Sequence, residues 1–230
     1  MKSFLRTAIN QLGFEIVRKH PIERRAKEIF QKYTDYTMIS ESMYVENLKL
    51  IWDFSSVKGC VIECGVWRGG MSAGIASLLP DREFFLFDSF EGLPEAKSID
   101  GERAIAWQQD TESPGYYENC TAEVGFATKA MVSTGATHHI IKGWFKDTLH
   151  TITPAEEIAV LRLDADWYES TMECLSILFP KVKQGGLIIF DDYFTWDGCS
   201  RAVHDYLSKI SSTSRIHKTP LGVAYIVKSD

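Results

Sequence analysis

Val160-Leu161-Arg162-Leu163-Asp164-Ala165-Asp166-Trp167-Tyr168-Glu169 and Leu187-Ile188-Ile189-Phe190-Asp191-Asp192 are short apolar runs, each ending in a pair of carboxylates. Runs of this length bounded by turn signals suit strands buried in a parallel sheet. In open α/β sheets, ligands bind beyond the carboxyl ends of the strands. The two runs therefore deliver Asp164, Asp166, Asp191 and Asp192 to one rim. Four like charges there repel one another unless something positive sits between them. A hard divalent cation with oxygen ligands, such as Mg2+, meets that need. Neither run holds His or Cys, which argues against zinc. A lone Asp at such a place reads as a helix cap or a solvated strand end. Two acidic pairs on successive strands favour the ligand reading.

Working outward, the α/β alternation begins at strand Cys60 to Cys64, followed by the turn Gly65-Val66-Trp67-Arg68-Gly69-Gly70 and a helix from Met71 to Leu79. A second strand, Glu83 to Phe87, ends at Asp88. Residues 94 to 117 carry Pro94, Gly101, Pro114 and Gly115 and form a long polar connection. Connections of that length inside a domain are usually functional or disordered. Here a mobile cover over the site is expected, extending through 94–137, with a helix from Tyr116 to Val132. Strands follow at His138 to Lys142 and Ala159 to Leu163. A helix from Glu169 to Val182 comes next, and Gly185-Gly186 turn the chain into the fifth strand. A helix from Arg201 to Ile210 and a hairpin around Pro220-Leu221-Gly222 close the chain. The pattern predicts an α/β fold: a mostly parallel sheet with a reversed C-terminal strand and helices on both faces.

Residues 1–56 precede this domain as a helical extension, with 57–230 as the α/β domain. Residues 1 to 27 are locally basic, and Phe4, Ile9, Leu12 and Ile16 can form an apolar stripe. Such a helix can rest on an anionic membrane surface, but docking on its own domain or on a second subunit of a homo-oligomer is the preferred reading. Pro21 opens a second helix reaching Tyr33, Tyr36 to Ser40 forms a link or lid, and Tyr44, Leu48, Ile51 and Trp52 mark the core face of a third helix. Across 230 residues the formal net charge is -6, which disfavours nucleic acid as the main partner. Five cysteines, none in a C-x-x-C pair, disfavour a disulfide framework and point to a reduced cytoplasmic compartment. No apolar run approaches a membrane span.

The turn after the first strand forms the other half of the site. Gly65 and Gly69 let the backbone pass close to a ligand. The spacing is not G-x-G-x-x-G, which counts against a pyrophosphate-linked dinucleotide. Glu63 would repel a phosphate but suits the ammonium of an amino-acid-like cofactor. Asp88 ends the second strand, where an acid grips ribose hydroxyls. These features favour S-adenosylmethionine over NAD.

Val61-Ile62-Glu63-Cys64-Gly65-Val66-Trp67-Arg68-Gly69-Gly70, Asp88-Ser89-Phe90-Glu91-Gly92-Leu93-Pro94-Glu95 and Lys142-Gly143-Trp144-Phe145-Lys146-Asp147-Thr148-Leu149 fall in order with the two acidic motifs and with Trp196-Asp197-Gly198-Cys199. Together they resemble the macrocin O-methyltransferase (TylF-type) family over residues 33 to 210. The resemblance implies a class I methyltransferase (Rossmann-like) fold and metal-dependent methyl transfer from S-adenosylmethionine to a sugar hydroxyl. It also implies Asp164, Asp191 and Asp192 as magnesium ligands and Asp166 as general base. The cofactor set it implies is Glu63, Gly65, Trp67, Gly69, Asp88, Ser89, Gly143, Trp144 and Asp164. Ala165 stands where the family usually has Gly, and 94 to 137 departs from the family pattern, so the acceptor is left open. Trp144 is expected beside the adenine, and Tyr193 and Trp196 along the sugar. The competing readings are an NAD-linked oxidoreductase on a similar sheet and a catalytically silent binding protein.

Overall fold

The computed structural model describes residues 20–151, 154 and 157–229. The expected N-terminal amphipathic stripe therefore lies outside the described residues. Helices α1 (Glu23–Tyr33) and α2 (Glu41–Asp53) lead into strand β1 (Cys60–Cys64). Helix α3 (Gly70–Leu78), β2 (Phe84–Asp88), α4 (Glu102–Gln109), α5 (Val124–Val132) and β3 (His138–Lys142) follow. The second half comprises β4 (Ile158–Leu163), α6 (Tyr168–Leu178), β5 (Val182–Phe190), α7 (Asp197–Lys209), β6 (His217–Lys218) and β7 (Ala224–Val227).

Among the described residues these strands form one sheet in the order β3-β2-β1-β4-β5-β7-β6. β1 to β5 pair in parallel, and β7 runs antiparallel to β5, so the expected reversed strand is present. Period-two alternation sorts the strands onto two cores. Val61, Leu86, Val160 and Ile189 pack with α1, α2, α3 and α5 on one face. Ile62, Phe87, Leu161 and Ile188 pack with α6 and α7 on the other. Because both faces are covered, β1 and β4 are buried along their whole length.

Four local expectations are corrected. The helix read from Tyr116 to Val132 is broken: Tyr117, Glu118, Asn119 and Cys120 have φ of 48, 53, 56 and 60°, a left-handed turn that a right-handed helix cannot contain. Asn119 explains it. Its carbonyl accepts from Leu93 N at 3.0 Å and its Nδ2 donates to the Leu93 carbonyl at 2.7 Å, so tertiary bonds outweigh helix propensity. The helix read from Glu169 to Val182 stops at Leu178, where Pro180 sits in a short 3-10 turn (Phe179–Lys181). Gly185 and Gly186 lie inside β5 and do not turn the chain into it. The long connection after Pro94 is also less irregular than its composition suggests, since it contains α4.

Candidate active site

Strand register builds the site. Cys64 pairs with Leu163, and Leu163 with Phe190, so Gly65, Asp164 and Asp191 leave the sheet at the same level. Asp164 N donates to the Cys64 carbonyl at 2.8 Å and Asp191 N to the Leu163 carbonyl at 2.9 Å, so the acidic loops start in register with the glycine turn. Gly65 has φ of +83°, and a Cβ there would strike the Asp164 carbonyl. Only glycine lets the two loops touch. Asp166 takes the left-handed φ of 53°, uncommon for a residue with a side chain, and its N–H donates to Asp192 Oδ2 at 3.2 Å.

Two adjoining cavities open at this edge and share Gly65, Asp88, Gly92, Leu93 and Asp164. The first, about 310 Å³, is walled by Trp144, Phe145 and Pro94, with Ser89 and Glu173 at its polar edge. The second, about 420 Å³, holds Asp166, Asp191 and Asp192 opposite Met38, Ile39, Trp67, Trp107 and Trp196. Acids line both chambers, Asp88, Asp164, Glu169 and Glu173 with Lys146 in the first and the clustered Asp164, Asp166, Asp191 and Asp192 with Asp88 in the second, and the boundary between them runs through Asp164.

Oxygens of Asp164, Asp166 and Asp192 all lie within 4.8 Å of one another, close enough to share a cation. This differs from the set Asp164, Asp191 and Asp192 implied by resemblance. Asp191 faces Arg162 instead, with Oδ1 2.5 Å from Nη2. Arg162 is fully buried in β4 and also reaches Glu63 Oε1 at 2.7 Å and Asp164 Oδ2 at 2.9 Å. A single guanidinium thus ties together acids from β1, β4 and the end of β5, using the fork geometry that suits Arg. Burial pushes Asp166 up to about 8, and the charge of Asp164 adds to the shift. Asp192 is pushed well above the usual carboxylate range by burial and then by Asp166. Asp191 is raised only to about 6, because Arg162 opposes the effect of burial. An acid cluster that resists ionisation in this way, built of hard oxygen donors, fits a divalent cation.

The remaining expected residues fall as follows. Trp144 and Ser89 line the first cavity. Trp67 lines the second, acid-bearing cavity. Asp88 borders both, but its carboxylate accepts from the backbone N–H groups of Val66, Trp67 and Phe90 at 2.7, 2.8 and 2.6 Å and so braces the glycine turn. Gly69 and Gly143 line neither cavity; they shape the backbone at the start of α3 and after β3. Glu63 is displaced furthest from its expected role. It is 2% exposed and lines neither cavity, and its carboxylate meets Ser72 Oγ and Arg162. Burial raises it to about 7 against the pull of Arg162. Trp196 lines the acid chamber and donates Nε1 to Asp166 Oδ1 at 3.1 Å. Tyr193 does not line it; its hydroxyl pairs with His204 Nε2 at 2.8 Å. Sequence reading gave no role to Arg162 or Trp107. A charged residue inside the run Val160 to Leu163 was the available signal for the first. Trp107 had none, since only the folded α4 brings it to the cavity.

This strand order, with its reversed β7 and paired chambers at the carboxyl edge, is the architecture of class I methyltransferases. A family model described as macrocin-O-methyltransferase (TylF) matches residues 1–225, and the chain belongs to that family. Over 162 residues it is 36% identical to demethyldecarbamoylnovobiocin O-methyltransferase of Streptomyces niveus, covering 67% of this chain and 60% of that protein. Over 160 residues it is 34% identical to mycinamicin III 3''-O-methyltransferase of Micromonospora griseorubida, covering 65% and 61%. The matched stretch thus spans about three-fifths of these relatives' length. The solved O-methyltransferase NovP superposes with a TM-score of 0.68 at 29% identity, over 85% of this chain and 83% of that one. No helix among the described residues is long and apolar enough to cross a membrane.

Proposed function

We propose that this chain is an S-adenosylmethionine-dependent O-methyltransferase that uses a divalent cation, Mg2+ or a similar hard ion, to methylate a sugar hydroxyl. The observation that carries the reading is the pair of chambers meeting at Asp164, one suited to the cofactor and one rimmed with acids. Family membership favours it over the NAD-linked and silent-binder readings. When bound, the sulfonium supplies the methyl group, and the cation supplies acidification of an alcohol that is otherwise a poor nucleophile.

The chain's own residues do the rest. Trp144 and Phe145 offer a flat apolar wall for the adenine, with Ser89 and Asp88 beside it. Asp164 and Asp192 would hold the cation. Asp166, at the rim of the second chamber beside Asp164 and Asp192, takes the hydroxyl proton. The Trp196 Nε1 bond fixes the direction in which Asp166 points. Arg162 and Glu63 act from behind the wall, orienting Asp164 and Asp191. The segment 94–137 covers the acceptor.

A thermal-shift comparison tests the reading. S-adenosylhomocysteine should raise the melting temperature and NAD should not. Stabilisation by NAD alone removes the proposal. Asp166→Asn should lower the turnover rate more than it weakens cation affinity; the reverse ranking would make Asp166 a cation ligand, as its closeness to Asp164 and Asp192 allows.

A further inference from the structure

We infer that the acid-bearing chamber admits only acceptor rings without negative charge, and that Trp107 is a residue that determines this specificity by stacking on the ring. The inference rests on the methyltransferase reading and deepens it. The chamber is lined by the carboxylates of Asp88, Asp164, Asp166, Asp191 and Asp192, and no Lys, Arg or His lines it among the described residues. Arg162 stands behind the acids, fully buried and already engaged by three of them, so it offers nothing to a ligand in the chamber. One dication, with Arg162 behind the acids, at most balances them and leaves no surplus positive charge in the chamber for an anion. A uronate, sugar phosphate or nucleoside diphosphate inside the chamber would face the acids with no cationic side chain in the lining, since the neighbouring guanidiniums of Arg68 and Arg103 lie over the rings of Trp67 and Trp196 and do not line it. A neutral sugar meets acceptors for its hydroxyls, and an amino sugar gains attraction.

The opposite wall is aromatic. Trp107, on α4, has its ring centroid 5.8 Å from that of Trp196 and 6.2 Å from that of Trp167. Trp107 and Trp196 both line the chamber, while Trp167 backs them at 2% exposure. Flat indoles suit the C–H faces of a pyranose. Because Trp196 also holds Asp166, a ring lying on this wall presents its hydroxyl edge to that carboxylate. Trp107 touches only the acid chamber, so its contribution is separable from cofactor binding.

Calorimetry on the full chain, saturated with S-adenosylhomocysteine and Mg2+, tests this. The probes are p-nitrophenyl glycosides of glucose, galactose, mannose, rhamnose and glucosamine, p-nitrophenyl glucuronide, and uridine diphosphate glucose. At least one neutral or amino glycoside should bind, with the glucuronide and the nucleotide sugar weaker by about tenfold or more. Trp107→Ala should weaken the bound glycoside by about tenfold while Trp107→Phe retains it, both with unchanged S-adenosylhomocysteine affinity. Ser40→Lys, on the exposed rim of the same chamber, should narrow the gap between neutral and anionic probes. Equal or tighter binding of an anionic probe overturns the inference. So does failure of every neutral glycoside while S-adenosylhomocysteine binds, an unchanged affinity in Trp107→Ala, or an unchanged gap in Ser40→Lys. If S-adenosylhomocysteine itself does not bind, the methyltransferase reading has failed and this inference falls with it.

Discussion

The two chambers differ in how they are built. The first is made of strand ends, the turns that follow them and the start of α6 (Glu169, Ser170 and Glu173), so β1, β2, β3 and β4 fix most of its walls through the sheet register. The second borrows much of its lining from outside the sheet: Met38 and Ile39 from the link before α2, Trp107 from α4, Tyr117 and Cys120 from the left-handed turn. A chamber fixed by register changes little with sequence between the motifs. One lined by inserted segments can change its ligand without disturbing the sheet. The division of labour proposed above, cofactor in one and acceptor in the other, follows from that difference.

The largest expected effect should split the chambers cleanly. Asp192→Asn removes a carboxylate proposed to hold the cation and should lower turnover by about 1000-fold, with S-adenosylhomocysteine affinity unchanged by calorimetry. A parallel loss of cofactor affinity would merge the two chambers into one functional unit. Nearly as large, and on stability, is Arg162→Met. It leaves Glu63, Asp164 and Asp191 without their shared counter-charge and should cost about 3–5 kcal/mol, measured by denaturant unfolding. A cost below about 1 kcal/mol would mean that the acids are neutral and the guanidinium is not their support. On the cofactor side, Trp144→Ala should weaken S-adenosylhomocysteine by about tenfold and leave cation affinity untouched.

The smallest effect is on pH dependence. Asp166, held near 8, carries more protons folded than unfolded, and Asp192 is shifted the same way. Their contribution to stability is complete below the unfolded value and is lost as pH rises through the folded one. In chelator, melting temperature should therefore fall as pH rises toward about 8. Added Mg2+ should counter this, and its stabilising shift should grow with pH, since binding releases protons. A Mg2+ shift that shrinks as pH rises would deny the cation the acid rim.

The sheet was legible because its signals are local. Val160 to Leu163 and Leu187 to Phe190 are apolar enough to demand burial on both faces, and the carboxylates after them sit where such strands end. The glycine turn at 65–70 was legible for the same reason. Residues 117–120 were not, because Asn119 adopts its turn to satisfy Leu93, a partner 26 residues away in the chain. Glu63 was read as facing the cofactor because it precedes the glycine turn. Strand alternation turns its side chain to the face where Arg162 lies directly opposite in the register.

By itself, then, the sequence determined the order of the strands, the edge at which the acids gather, and the hard-oxygen character of that edge. Those properties follow from periodicity and residue chemistry, which are written along the chain. Only the tertiary structure decided which acids face one another, which of them Arg162 holds, and which tryptophans line the acid-bearing chamber. Each depends on distances between segments far apart in sequence, and a side chain's partner there is set by packing.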